Sequence, residues 1–312
     1  MANIVLVHGI DQQQKSADIL ESSWVPALAG GVRNAGYTSL ADRIATRQIP
    51  TSMAFYGGLF LKPGQQGTGL ETSDLDEERK KFAEALGLEW LTRSAERSED
   101  DSRVARIELT YLQGTGGGEL QGSKAAVRSA IGSLARLRWF AQIGMGVAER
   151  FINRALTQTT LYLTEPEIRE KAQRAVLDLI DDRTEIVIGH SLGSVVAYET
   201  VRKLKNPLPL LVTIGSPLGL GTIVYEKLTP QPPSYPPLLK RWVNVADRND
   251  LVAAEPDITN MFTPIPHGSI FEGSFTVDNG SEPHSASFYL GKVNVGRPVG
   301  DTLSGGQRSV GD

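Results

Sequence analysis

The residues whose types and spacing are best suited to catalysis are Gly189-His190-Ser191-Leu192-Gly193. They follow a short apolar run that ends at Ile188 and precede an amphipathic stretch from Leu192 to about Leu204. A serine flanked by glycines, where a strand turns sharply into a helix, is the pattern of a nucleophile elbow. The turn would lift the Ser191 hydroxyl above the sheet, and the N–H of Leu192 would face a developing oxyanion at the helix N-terminus. The pattern therefore predicts nucleophilic catalysis by Ser191.

A serine hydroxyl needs a base, and this chain has four histidines and no cysteine. Around such an elbow the order along the chain is nucleophile, acid, histidine, and only His267 and His284 follow Ser191. His284 comes just after the last predicted strand, at the start of an expected helix, from where its ring can turn back over the elbow. His267 lies in a proline-bounded loop before that strand. We prefer His284 and keep His267 as the alternative.

The carboxylate that orients the base is expected after the strand that follows Gly215. Residues 241–252 read RWVNVADRNDLV and offer Asp247 and Asp250 at that place. The order of strand, short turn, aspartate and apolar residue favours Asp250, while Asp247 would brace the turn. Asp257 is a third, remote candidate.

Together these segments resemble the α/β-hydrolase superfamily, and its lipase and esterase branches most closely. The matching segments are Val7-His8-Gly9-Ile10, the elbow, Gly215-Ser216-Pro217, Asn244-Val245-Ala246-Asp247-Arg248-Asn249-Asp250 and Pro283-His284-Ser285. The resemblance covers residues 3–60 and about 164–295. It implies a triad of Ser191, His284 and Asp250, with a second oxyanion N–H from Ile10 or a near neighbour. His8 would then border the site without acting as the base.

The elements that must position these residues alternate between strands and helices, which is typical of an α/β fold with a mainly parallel sheet. We predict six strands, near residues 3–8, 43–56, 185–188, 209–215, 241–246 and 270–277. The first strand opens the sequence directly, so the first two strands of the resembled family are missing. Residues 1–60 and 164–312 are expected to form the hydrolase core, with residues 300–312 as a mobile tail.

Residues 61–163 do not fit this core, and we expect them to form a mostly helical insertion that acts as a cap or lid. Within it, residues 122–148 carry four basic side chains and no acidic one, and their spacing predicts an amphipathic helix. Three interpretations stay open for this helix: packing on the core, a lid over an acyl pocket, and contact with an anionic membrane surface.

Composition and missing motifs exclude other classes of function. The formal net charge is −4, which is unlike the basic footprint of a nucleic-acid-binding protein. The absence of cysteine excludes disulfides and thiol chemistry, and no histidine pair has the helical spacing of a metal site. Without a signal peptide or a long apolar run, the expected location is the cytoplasm, with peripheral membrane contact through residues 122–148 as an option.

The sequence therefore predicts hydrolysis of carboxylic esters, of an acyl or lipid type, through an acyl-enzyme on Ser191, without a cofactor or a metal. A thioesterase, a peptidase or an acyltransferase would use the same triad. A non-enzymatic interaction module on the same fold is the other alternative, and an occluded Ser191 would favour it.

Overall fold

The computed structural model describes residues 2–64, 67–96, 100–115, 123–137, 144–221, 223–253, 255 and 257–308. The strands are β1 Ile4–Val7, β2 Thr51–Ala54, β3 Ile186–His190, β4 Leu208–Ile214, β5 Leu239–Asp247 and β6 Ile270–Val277. The longer helices are α1 Ala17–Asn34, α2 Thr38–Ala45, α3 Glu77–Glu96, α4 Asp100–Thr115, α5 Ser123–Ala135, α6 Met145–Thr164, α7 Pro166–Leu177, α8 Leu192–Val201, α9 Ala286–Leu290 and α10 Val293–Arg308. The chain divides into two compact units, Met1–Tyr56 with Glu170–Asp312, and Gly57–Arg169.

The first unit contains one sheet of six strands in the order β2-β1-β3-β4-β5-β6. Every neighbouring pair is parallel, which confirms the predicted α/β class and its six-stranded parallel sheet. The strands are rich in Ile, Val and Leu because a parallel sheet is covered on both faces. All four residues of β1 and all five of β3 are buried.

Different helices cover the two faces of the sheet. On one face, alternate strand residues such as Leu6, Ile188 and Val212 join a buried cluster with residues of α1, α2, α9 and α10. On the other face lies α8, all of whose residues are buried. Next to α8 runs α7, whose Gln173 donates a hydrogen bond of 2.7 Å to the buried Glu199 carboxylate. The central strands are therefore held rigidly from both sides.

Two glycines allow an unusually close crossing of α1, α9 and α10. A Cβ built on Gly296 of α10 would lie 1.9 Å from the carbonyl oxygen of Gly31. A Cβ on Gly31 would lie 2.1 Å from the carbonyl oxygen of Leu290, at the end of α9. No side chain fits at either position. The crossing fixes α9, which follows the predicted base His284, against the core.

The second unit is built from α3, α4, α5 and α6, whose buried apolar residues face one another. Gly87 of α3 makes room for Ala130 of α5 and Leu156 of α6, at 3.3 and 3.6 Å from its hypothetical Cβ. The single helix predicted over residues 122–148 is wrong. In its place α5 ends at Ala135 and α6 begins at Met145, after Gly144 with φ +80°. Residues 122 and 138–143 of that range lie outside the described residues.

Two other local predictions are wrong. Residues 43–56 do not form one long strand, because Thr38–Ala45 is a helix and β2 covers only Thr51–Ala54. Leu40, Ala41 and Ile44 are buried on one side of that helix, and this burial outweighs its weak capping. Residues 300–308 are not a loose tail, because α10 continues to Arg308 and buries Val295, Val299 and Leu303 at every fourth position.

Candidate active site

The predicted site residues come together at one edge of the sheet. Ile10 follows β1, Ser191 follows β3, Asp250 follows β5 and His284 follows β6. Because all six strands are parallel, their carboxyl ends lie at the same edge. The strand order reverses between β1 and β3, and in open α/β sheets ligands bind in the crevice at such a switch point. Ser191 stands directly at this point.

The elbow has the strained backbone that its sequence predicts. Ser191 has φ 54° and ψ −132°, a conformation that residues with a Cβ rarely adopt. Its main-chain N–H donates to the Ile214 carbonyl oxygen at 3.1 Å, which ties the turn to the end of β4. A Cβ on Gly189 would lie 2.6 Å from the Gly193 oxygen, and one on Gly193 would lie 2.2 Å from the His8 oxygen. Both flanking glycines are therefore needed for the turn to pack.

Asp250 and His284 form a buried pair beside the elbow. His284 Nδ1 lies 2.7 Å from Asp250 Oδ2, and Asp250 is fully buried. The other carboxylate oxygen, Oδ1, accepts the main-chain N–H groups of Val252 at 2.9 Å and Ala253 at 3.4 Å. Burial alone would raise the pKa of Asp250, but the charge and hydrogen bond of His284 outweigh it and hold that pKa below its usual value. Asp250 is thus an ionised carboxylate that orients the imidazole.

The alternative acids lie in different surroundings. Asp247 accepts the main-chain N–H groups of Asn249, at 2.7 Å, and of Asn279, so it braces the loops after β5 and β6. Asp257 is exposed and accepts hydrogen bonds from Thr259. Neither takes the position on the His284 ring that Asp250 has.

His267 lies away from the site. It is exposed and stands three residues before β6 begins at Ile270. The start of a parallel strand is at the opposite edge of the sheet from the carboxyl ends. His284 is therefore the histidine that the fold brings to the elbow, and His267 is not.

The two remaining histidines are held neutral. The Gly9 carbonyl oxygen can only accept, so His8 carries its proton on Nδ1, 2.7 Å away, and Nε2 accepts the N–H of Tyr56 at 3.1 Å. Burial lowers the pKa of His8 to about 4 and, together with the charge of His284, that of His190 to about 3. With both ring nitrogens of His8 occupied, it cannot serve as the base.

His190 ties the elbow to the predicted base. Its Nε2 lies 3.0 Å from the His284 carbonyl oxygen, which can only accept. The two rings also pack together, with centroids 4.6 Å apart. His284 is thus fixed against the residue that directly precedes Ser191.

The main chain after β1 passes close to the Ser191 side chain. A Cβ on Gly9 would lie 3.1 Å from Ser191 Oγ, so only glycine allows this approach. Ile10 follows, and then Asp11 with φ 60°. Leu192 is the first residue of α8. The N–H groups of Ile10 and Leu192 make no hydrogen bond to another described residue, so both are available to a ligand.

The sequence pattern indicates no role for two residues that lie in this site. Gly215 has φ +54°, and a Cβ there would lie 2.8 Å from Asp250 Oδ2 and 3.2 Å from His284 Nδ1. Tyr289 is fully buried, and its hydroxyl lies 2.9 Å from Asp250 Oδ2. The only available signal was position: Gly215 directly follows β4, and Tyr289 lies on α9, which begins two residues after His284.

Other kinds of site find little support in the described part of the chain. No group of three or more His, Asp or Glu side chains there could hold a metal ion. None of the helices described is both long enough and apolar enough to cross a membrane.

Compared with protein-family models, with curated proteins and with solved structures, the chain matches none of them. Its chemistry therefore has to be inferred from the geometry of the site.

Proposed function

We propose that this protein is a serine hydrolase of the α/β-hydrolase type that cleaves carboxylic esters through an acyl-enzyme intermediate. The observation that carries the proposal is the Asp250–His284 pair, joined at 2.7 Å and packed against a turn that holds Ser191 at φ 54°. An activated serine needs a base that is itself oriented by a third group, and the pair supplies both.

The chemistry follows from these positions. His284 takes the proton of the Ser191 hydroxyl while its oxygen attacks the ester carbonyl carbon. Asp250 keeps the Nδ1 tautomer of the ring and stabilises the imidazolium. The N–H groups of Leu192 and Ile10 bind the negative oxygen of the tetrahedral intermediate. His284 then protonates the leaving alcohol, and water releases the acid from Ser191 by the same steps.

A fluorophosphonate probe tests the proposal, because it reacts only with an activated serine. We expect one covalent adduct by intact-protein mass spectrometry, and none on Ser191→Ala. Ser22→Ala removes an exposed hydroxyl on α1 and serves as the matched control, with labelling equal to the wild type. A series of p-nitrophenyl esters of increasing chain length then defines the acyl group. Labelling that survives in Ser191→Ala would refute the assignment.

One observation favours a second candidate, a non-enzymatic module on the same fold. Ser191 is only 2% exposed, so a substrate must gain access to it. If the folded wild type takes no probe and hydrolyses none of the esters, the serine is not catalytic. The small phosphonate is the decisive probe here, because it needs less space than an ester with a long acyl chain.

A further inference from the structure

Tyr289 connects the end of β5 with the carboxylate of the candidate triad. Its hydroxyl oxygen lies 2.7 Å from the main-chain nitrogen of Asp247, the last residue of β5. The same oxygen lies 2.9 Å from Asp250 Oδ2, the atom that also contacts His284 Nδ1. One hydroxyl therefore touches both ends of the turn that carries the acid.

The direction of these hydrogen bonds is fixed by chemistry. A main-chain N–H can only donate, so the Tyr289 oxygen accepts from Asp247 and its proton points to the Asp250 carboxylate. Burial and the nearby charge of Asp250 raise the pKa of Tyr289 far above its ordinary value, which keeps this proton in place. The phenol is thus a permanent donor to Oδ2.

The surroundings leave this arrangement little freedom. A Cβ on Gly215 would lie 3.1 Å from the Tyr289 ring and 2.8 Å from Asp250 Oδ2. The absence of a side chain at Gly215 therefore leaves room for the phenol and the carboxylate to meet. His284 and Tyr289 belong to one short segment, and α9 is fixed by its contact with Gly31 of α1. The phenol therefore approaches Asp250 from a fixed helix, and the base approaches it from the turn just before that helix.

We propose that Tyr289 is a positioning residue of the triad. Its hydroxyl fixes the rotamer of Asp250 and competes with His284 for the negative charge on Asp250 Oδ2. The proposal rests on the proposed function for its kinetic consequence. The hydrogen bond from Tyr289 withdraws part of the negative charge on Oδ2, so Asp250 stabilises the His284 imidazolium less. The phenol therefore lowers the basicity of the Asp250–His284 pair as a unit. The other titratable groups facing the pair are His190, under the elbow, and Asp247, at the end of β5.

The test compares Tyr289→Phe with Tyr235→Phe. Tyr235 is equally buried, and its hydroxyl donates to the Ile270 oxygen at the start of β6, at the opposite edge of the sheet. Tyr289→Phe loses both hydrogen bonds of its hydroxyl and Tyr235→Phe loses one, so both variants should lose thermal stability, and Tyr289→Phe should lose more. Only Tyr289→Phe should lower kcat, by about tenfold with KM unchanged, and move the acid limb of kcat/KM to higher pH by about half a unit.

A second readout does not depend on turnover. The proton between His284 Nδ1 and Asp250 Oδ2 should give a far-downfield NMR resonance, because the two atoms are 2.7 Å apart. In Tyr289→Phe this resonance should move further downfield, because Oδ2 loses its competing donor. A wild type without esterase activity would refute the proposed function, yet this resonance would still test Tyr289. If the resonance and the acid limb both stay in place and only the stability of Tyr289→Phe falls, Tyr289 is merely structural and the inference is wrong.

Discussion

At the scale of single residues, the types and order of side chains carried most of the information. The elbow located Ser191, the chain order left two histidines after it, and the strand that follows Gly215 directed the search for the acid to Asp247 and Asp250, with Asp257 as a remote third candidate. The preference for Asp250 over Asp247 came from its place after a strand and a turn, and the structure brings Asp250 to His284 at 2.7 Å. Tyr289 could not be found in this way, because nothing in the sequence shows that its hydroxyl reaches the turn between Asp247 and Asp250.

The roles of the two candidate bases give a prediction at this scale. His284→Gln should lower kcat/KM and the rate of phosphonate labelling by about 10²–10⁴-fold, the usual contribution of a general base. His267→Gln, at the other edge of the sheet, should leave both unchanged. Stopped-flow or time-resolved mass measurements of labelling decide between them. Equal losses in the two variants, or none in either, would contradict the role of His284.

At the scale of elements, the crossing of α1 and α10 gives a prediction about stability. Gly296→Ala places a methyl group 1.9 Å from the Gly31 oxygen, and the backbone shift should cost about 1–3 kcal/mol of the free energy of unfolding. Gly305→Ala on the same helix meets open space and should gain about 0.5–1 kcal/mol instead. Urea unfolding midpoints measure both changes. Equal effects at the two positions would show that the helices separate easily.

The sequence predicted the buried strands well, because β-branched runs such as Ile186-Val187-Ile188 suit a sheet covered on both faces. The sequence-based predictions were wrong where tertiary contacts determine whether a segment is helical. Thr38–Ala45 has no side-chain cap at its first turn, so its start carried no signal. The glycines after residue 300 suggested a loose tail, but the burial of Val299 and Leu303 against α1 and the sheet outweighs their low helix propensity.

At the scale of the whole molecule, two buried neutral histidines make stability depend on pH. The pKa of His8 is lowered to about 4 and that of His190 to about 3, whereas both are about 6.5 in the unfolded chain. Protons therefore bind the unfolded state first, so this part of the stability is complete above pH 6.5 and is lost as the pH falls. Together the two residues should give a slope of roughly 2 kcal/mol per pH unit between about pH 6 and 4.5.

Urea titrations at several pH values measure this slope. We expect His8→Gln to remove about half of it, because glutamine cannot bind the second proton, while His267→Gln should not change it. A wild-type free energy of unfolding that is flat over this range would contradict the neutral, buried state of both rings.

The close crossing of α1 and α10 at Gly31 and Gly296 also has a consequence for synthesis on the ribosome. Gly31 and Gly296 are 265 residues apart in the chain, and residue 31 leaves the ribosome first. At ~5–20 residues per second, α1 waits roughly 13 to 53 s for its partner helix. During this time Leu28 and Val32, which are buried in the finished protein, lack α10 as a cover. The nascent chain therefore exposes this apolar face of α1 until α10 has emerged, and the Asp250–His284 pair cannot form before residue 284 has left the ribosome.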